Sequence, residues 1–141
     1  MKSGAMKAHI ADFFERVWNK RDLSNLDRWI APLYVIRSDP GDRWDGKTLT
    51  RAEFTERLTL SCAPFPDQAF VIEDMIAEDC RVAVDWRWRG THLADLPGFK
   101  ASGATIEMSG ITIYDFENGL LCGHRQQADR LRVFQQLRPK T

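Results

Sequence analysis

Near its end the chain reads Leu121-Cys122-Gly123-His124-Arg125-Gln126-Gln127-Ala128-Asp129, a carboxylate set among a cation and two amides. Alternate residues of an extended strand share a face, so Leu121, Gly123, Arg125, Gln127 and Asp129 fall together. If that face looks inward, burial raises the carboxyl pKa of Asp129 while Arg125 lowers it. A carboxyl balanced between those influences can pass a proton near neutrality. A purely local role fits as well. Leu131, Phe134 and Leu137 follow at helical spacing, so Asp129 also suits a helix N-cap, although Arg132 stands where a capping box would place Glu or Gln. Residue types leave both roles open.

A second stretch with chemical content is "VAVDWRWRGTH", Val82 to His92. Val82, Val84, Trp86 and Trp88 share one face of a regular strand and His92 continues it; Asp85, Arg87 and Arg89 share the other. The apolar face should look inward, either as plain core or as an aromatic wall beside a flat ligand, with His92 as a polar partner. The charged face should be an outer surface or a subunit contact.

These strands need elements to position them. Ile10, Phe13, Phe14, Val17 and Trp18 mark an amphipathic helix over residues 6–20. Asp22 can cap a second helix carrying Leu23, Leu26, Trp29 and Ile30, ended by Pro32. "SDPGDRWDG" reads as a loop, and Thr50-x-x-Glu53 is a capping box opening a helix with Phe54 and Leu58. From Asp67 onward strands follow one another, with a hairpin turn at Glu117-Asn118-Gly119. Helices first and antiparallel strands afterwards predict an α+β fold in one domain, residues 1–141. Its helices should close one end of a strongly curved, mostly antiparallel sheet, leaving a cone-shaped barrel around a pocket.

Composition narrows the chemistry. Twenty basic residues balance twenty acidic ones in 141, so no global charge favours nucleic acid or an anionic membrane as partner. No apolar run reaches the roughly 18 residues that span a bilayer, and the first residues lack a signal-peptide pattern, so a cytoplasmic location is expected. Three scattered cysteines and three scattered histidines suggest neither a disulfide framework nor a metal site. No dinucleotide, phosphate-loop, serine-hydrolase or zinc-protease motif occurs. Any reaction should therefore need side chains alone, with no cofactor. Five Trp and eight Phe suggest aromatic walls around a small hydrophobic ligand.

The fragments "VWNKRDLSNLDRWIAPLY", "WDG", "FPD", "IEDMIAEDCRVAVDW", "RGTH", "YDFENG" and "AD" followed by "QQL" resemble, in order and spacing, the SnoaL-like polyketide cyclases of the nuclear transport factor 2-like superfamily. The resemblance implies a helix-capped curved sheet around an apolar cavity, a homodimer or homotetramer, and cofactor-free intramolecular aldol closure of a polyketide ester. It places the family's acid/base at Asp129 and a pocket residue at His92. Trp18, Trp44, Phe65, Trp86, Trp88 and Gln127 are then candidate substrate contacts. Arg125 stands where relatives often carry Trp. Arg37 precedes Asp39-Pro40 in a loop where many carry His, so two cations are expected near the pocket. Two other functions compete: a non-catalytic carrier of an apolar ligand, and an epoxide hydrolase of the limonene-epoxide type built from Asp85, Arg87 and Asp129. Strand alternation sets Asp85 opposite the tryptophans and counts against the latter.

Overall fold

A computed structural model describes residues 1–138. Helix α1, Ser3–Phe13, runs on into a π-helical turn, Phe14–Asn19. Met6, Ile10, Phe13, Phe14 and Val17 are all buried, as their helical spacing implies. The capping box forms as read: Thr50 Oγ1 accepts from the Glu53 N–H, the Glu53 carboxylate accepts from the Thr50 N–H, and helix α2 follows over Arg51–Cys62.

The six strands are β1 (Ile30–Ser38), β2 (Thr48–Thr50), β3 (Ala69–Glu78), β4 (Arg81–Thr91), β5 (Thr105–Glu117) and β6 (Leu120–Ala128). They form one open sheet in the order β2-β1-β6-β5-β4-β3, antiparallel except for the parallel pair β1–β6. Asn118 and Gly119 both take positive φ, 50° and 77°, as a tight β5–β6 hairpin demands. Helix α3, Arg130–Leu137, closes the chain. The result is the expected cone of helices on a curved sheet, though the sheet does not close on itself. No helix among the described residues is long and apolar enough to cross a membrane.

One expected element is absent. The second helix shrinks to a single 3₁₀ turn, Leu26–Arg28, and Ile30 already begins β1. Helical periodicity over Leu23, Leu26, Trp29 and Ile30 was outweighed by sheet pairing of the apolar run Tyr34-Val35-Ile36. Pro32, which lacks an N–H, lies in the irregular stretch between Ile30 and Val35 where the β1–β6 register shifts.

The alternation of β4 holds. Val82, Val84, Trp86 and Trp88 are buried, while Arg87 and Arg89 are exposed and Asp85 partly so. Trp86 lies across Gly110 of β5, its cross-strand partner. A Cβ at Gly110 would collide with the indole, so the glycine is required by close packing and not by its dihedrals.

Candidate functional site

Between the concave face of the sheet and the helices lies a cavity of about 390 Å³. Its walls are largely aromatic: Phe13, Phe14, Trp18, Phe54 and Phe65 from the helix side, Phe70, Trp86, Trp88 and Tyr114 from the sheet. The volume suits a small flat molecule. The two indole N–H groups are occupied, Trp88 donating to Gln68 at 2.7 Å and Trp86 to Thr112 at 2.9 Å. They stiffen the wall.

A charged cluster forms the polar end. Asp39, just after the end of β1, is fully buried and accepts from four side chains. These are Arg130 Nη2 at 2.8 Å, His124 Nε2 at 3.1 Å, Gln126 Nε2 at 3.2 Å and Arg57 Nη2 at 3.3 Å. Its own N–H donates to Asp45 at 2.7 Å, which fixes the loop that follows. Arg57 also reaches Asp42 at 3.4 Å and Arg130 reaches it at 3.8 Å. Beyond His124, the Tyr34 hydroxyl lies 2.7 Å from Nδ1. Burial would raise the Asp39 carboxyl, but the His124 hydrogen bond and the charges of Arg130 and Arg57 outweigh it and hold the pKa below its ordinary value. For His124 burial comes first, and despite the hydrogen bond to Asp39 it keeps the imidazole below its ordinary value. The ring is therefore neutral at pH 7. Its contact with Asp39 is a hydrogen bond from Nε2–H, which leaves the Nδ1 lone pair to accept from the Tyr34 hydroxyl. Burial also raises the Tyr34 phenol well above its usual pKa, so its proton stays on oxygen in the resting state.

The structure assembles a different polar set from the one read in the sequence. Trp18, Phe65, Trp86 and Trp88 do line the cavity; Arg37, Trp44, His92, Arg125, Gln127 and Asp129 do not. A β-bulge explains three of these corrections. On β6, Leu121 pairs with Phe116 and Gly123 with Asp115, leaving Cys122 as an extra residue. One extra residue inverts every later side chain. His124 and Gln126 therefore turn inward, while Arg125 and Gln127 turn to solvent. Asp129 is likewise exposed and caps α3, accepting from the Arg132 N–H at 3.2 Å. Arg37 and Arg125 meet outside the cavity on Asp115, at 2.8 and 3.9 Å. Trp44 sits in the β1–β2 loop between Arg43 and Lys47, which lie 5.5 and 5.4 Å from its ring. His92 is buried behind Phe65, with Nδ1 3.0 Å from Ser102 Oγ. None of Asp85, Arg87 and Asp129 lines the cavity, so they do not supply it with the Asp-Arg-Asp group that epoxide opening needs.

Of the residues missed, Arg57 had a visible signal. It lies between Phe54 and Leu58 on the apolar stripe of α2, where a cation needs a buried partner. Asp39 gave none, because it sits in a turn without periodicity. Asp129 yields a direct test of its observed role. Asp129→Ala should cost about 1 kcal/mol and Asp129→Asn almost nothing, by thermal melting. Neither should lower turnover, and a large loss with Asp129→Asn would return the acid to this position.

The sequence profile of the SnoaL-like polyketide cyclases matches residues 8–137. A candidate polyketide cyclase from Acidithiobacillus ferrooxidans, of known structure, is 41% identical over 97% of this chain and 96% of its own, with a TM-score of 0.91. IdmH, a candidate polyketide cyclase from Streptomyces antibioticus, is 25% identical over 93% and 96%, with a TM-score of 0.79. TsrD from Streptomyces laurentii, 20% identical over 97% of each chain with a TM-score of 0.80, shares the fold. No curated protein matches the chain.

Proposed function

The chain belongs to the SnoaL-like polyketide cyclase family, and on that premise we propose that it catalyses cofactor-free acid/base chemistry, an intramolecular aldol closure or related isomerisation, on a small aromatic ketone or ester. The observation that carries this reading is the chain Tyr34–His124–Asp39, at 2.7 and 3.1 Å, at the polar end of an aromatic cavity.

The step begins with a substrate carbonyl whose α-carbon lies against the Tyr34 oxygen. The α C–H bond breaks and its proton passes to the Tyr34 oxygen, while the phenolic proton moves to His124 Nδ1. The electron pair of the broken bond becomes the enolate. Asp39 stabilises the new imidazolium without taking its proton, and holds the ring in the tautomer that leaves Nδ1 open. Asp39 and Asp42 balance Arg57 and Arg130, so the cluster is formally neutral before transfer and +1 after it, matched by the enolate. The enolate carbon then attacks a second carbonyl of the same molecule. The resulting alkoxide recovers the proton from His124 through Tyr34, and the site is restored. Atoms and charges balance with no added reagent.

The first half of this sequence can be tested without the natural substrate. Methyl 3-(2-naphthyl)-3-oxopropanoate carries an acidic methylene next to a flat bicycle. In D₂O the protein should accelerate exchange of that methylene saturably, as followed by NMR. Tyr34→Phe, which removes the first proton acceptor, should lose roughly 10²-fold of the acceleration. Wild-type protein no better than free imidazole, or full activity in Tyr34→Phe, would overturn the mechanism.

A further inference from the structure

Arg57 is 5% exposed, and its Nη2 is shared between Asp39 and Asp42, yet its Nε–H has no partner. Among the described residues it is the one cavity-lining side chain with a buried polar atom left unpaired. Buried donors are almost always satisfied in native proteins, and an exception at a binding site points to a group supplied by the ligand. Nε–H can only donate, so the missing partner is an acceptor. The guanidinium also lies 5.7 Å from the ring of Trp18, another cavity wall, so a flat ligand against Trp18 would bring an oxygen on its rim towards Arg57. Both carboxylates contact Nη2, and neither takes the Nε–H.

We infer that Arg57 Nε–H is the oxyanion donor of the cavity, selecting ligands that carry a carbonyl, enolate or phenolate oxygen on an aromatic ring system. The inference rests on the proposed acid/base reading and adds to it the donor that stabilises the negatively charged substrate oxygen while His124 holds the proton. A charge-assisted hydrogen bond in a site shielded from water strengthens as charge builds on the oxygen, as stabilisation of an enolate requires.

Two probes isolate this contact from turnover: 4-nitro-1-naphtholate, which carries the oxyanion, and 1-nitronaphthalene, which has the same bicycle without it. By isothermal titration calorimetry, wild-type protein should bind the naphtholate at least tenfold more tightly. Arg57→Gln should bind both about equally, and Arg57→Lys should recover little of the preference, since a lysine has no Nε–H at that place. Tyr34→Phe should keep the preference while losing methylene exchange, so failure of the acid/base mechanism and failure of this inference give different results. The wild-type comparison stands even if the Arg57 variants fold poorly. Equal affinity of wild-type protein for the two probes would overturn the inference, and so would loss of the preference in Tyr34→Phe with retention in Arg57→Gln.

Discussion

Asp39→Ala should destabilise the protein by about 3–5 kcal/mol, more than an average core truncation, although it removes a short side chain. The loss would come from what is left behind. Arg57 and Arg130 would lose their principal acceptor, and His124 and Gln126 the only acceptor for Nε2–H and Nε2 among the described residues. Arg130 would suffer at one further remove. It also donates to the Pro40 carbonyl at 3.0 Å and packs on Gly41, so it ties α3 to the β1–β2 loop. Once the carboxylate is gone, that tie weakens and the cavity mouth loosens. A thermal melt should shift by roughly 10 °C or more. Asp39→Asn, which keeps the shape and one carbonyl acceptor, should cost less.

The same change should flatten the acid limb of stability. The carboxyl of Asp39 titrates below its ordinary value in the folded state, so its contribution is complete above the unfolded pKa of about 3.9 and is lost as pH falls through the folded value. Asp39→Ala should lack this segment. If the variant melts within about 1 kcal/mol of wild type at pH 7, the cluster is not the structural centre described here.

Legibility of this site in the sequence follows from physical causes. The capping box at Thr50, the alternation of β4 and the Asn118-Gly119 turn are local signals, and each forms as read. The aromatic wall was legible for the same reason, because Trp86 and Trp88 sit on a strand whose period is undisturbed. The polar wall was not. It draws Asp39 from a turn, Arg57 from a helix, and His124 and Gln126 from β6, residues that only the tertiary fold brings together. For β6 the decisive event is the extra residue Cys122. Its thiol lies 3.5 Å from the Asp115 carbonyl, and nothing in the residue types around it announces a bulge. A period of two, applied across that point, selects Arg125, Gln127 and Asp129, which are the residues the fold sends outward.

His124→Gln should abolish most of the reaction while leaving the cluster intact. A glutamine amide can still donate towards Asp39, but it cannot accept a proton at neutral pH. Methylene exchange should fall by roughly 10²-fold or more. The pH profiles give a second, independent readout. The wild-type reaction needs neutral His124, and its pKa lies below the ordinary value of about 6.5 because the ring is buried. The rate should therefore hold steady below pH 6.5 and fall only as pH drops through the lower folded value. Stability should respond sooner. Below about pH 6.5 the unfolded chain protonates this histidine while the folded chain does not, so folding weakens with acid until the folded pKa is reached. His124→Gln should remove that segment of the stability curve together with the acid limb of the rate. If the stability segment disappears and exchange persists at the wild-type rate, His124 is only a buried structural residue and the proton goes elsewhere. If both disappear together, one imidazole accounts for both.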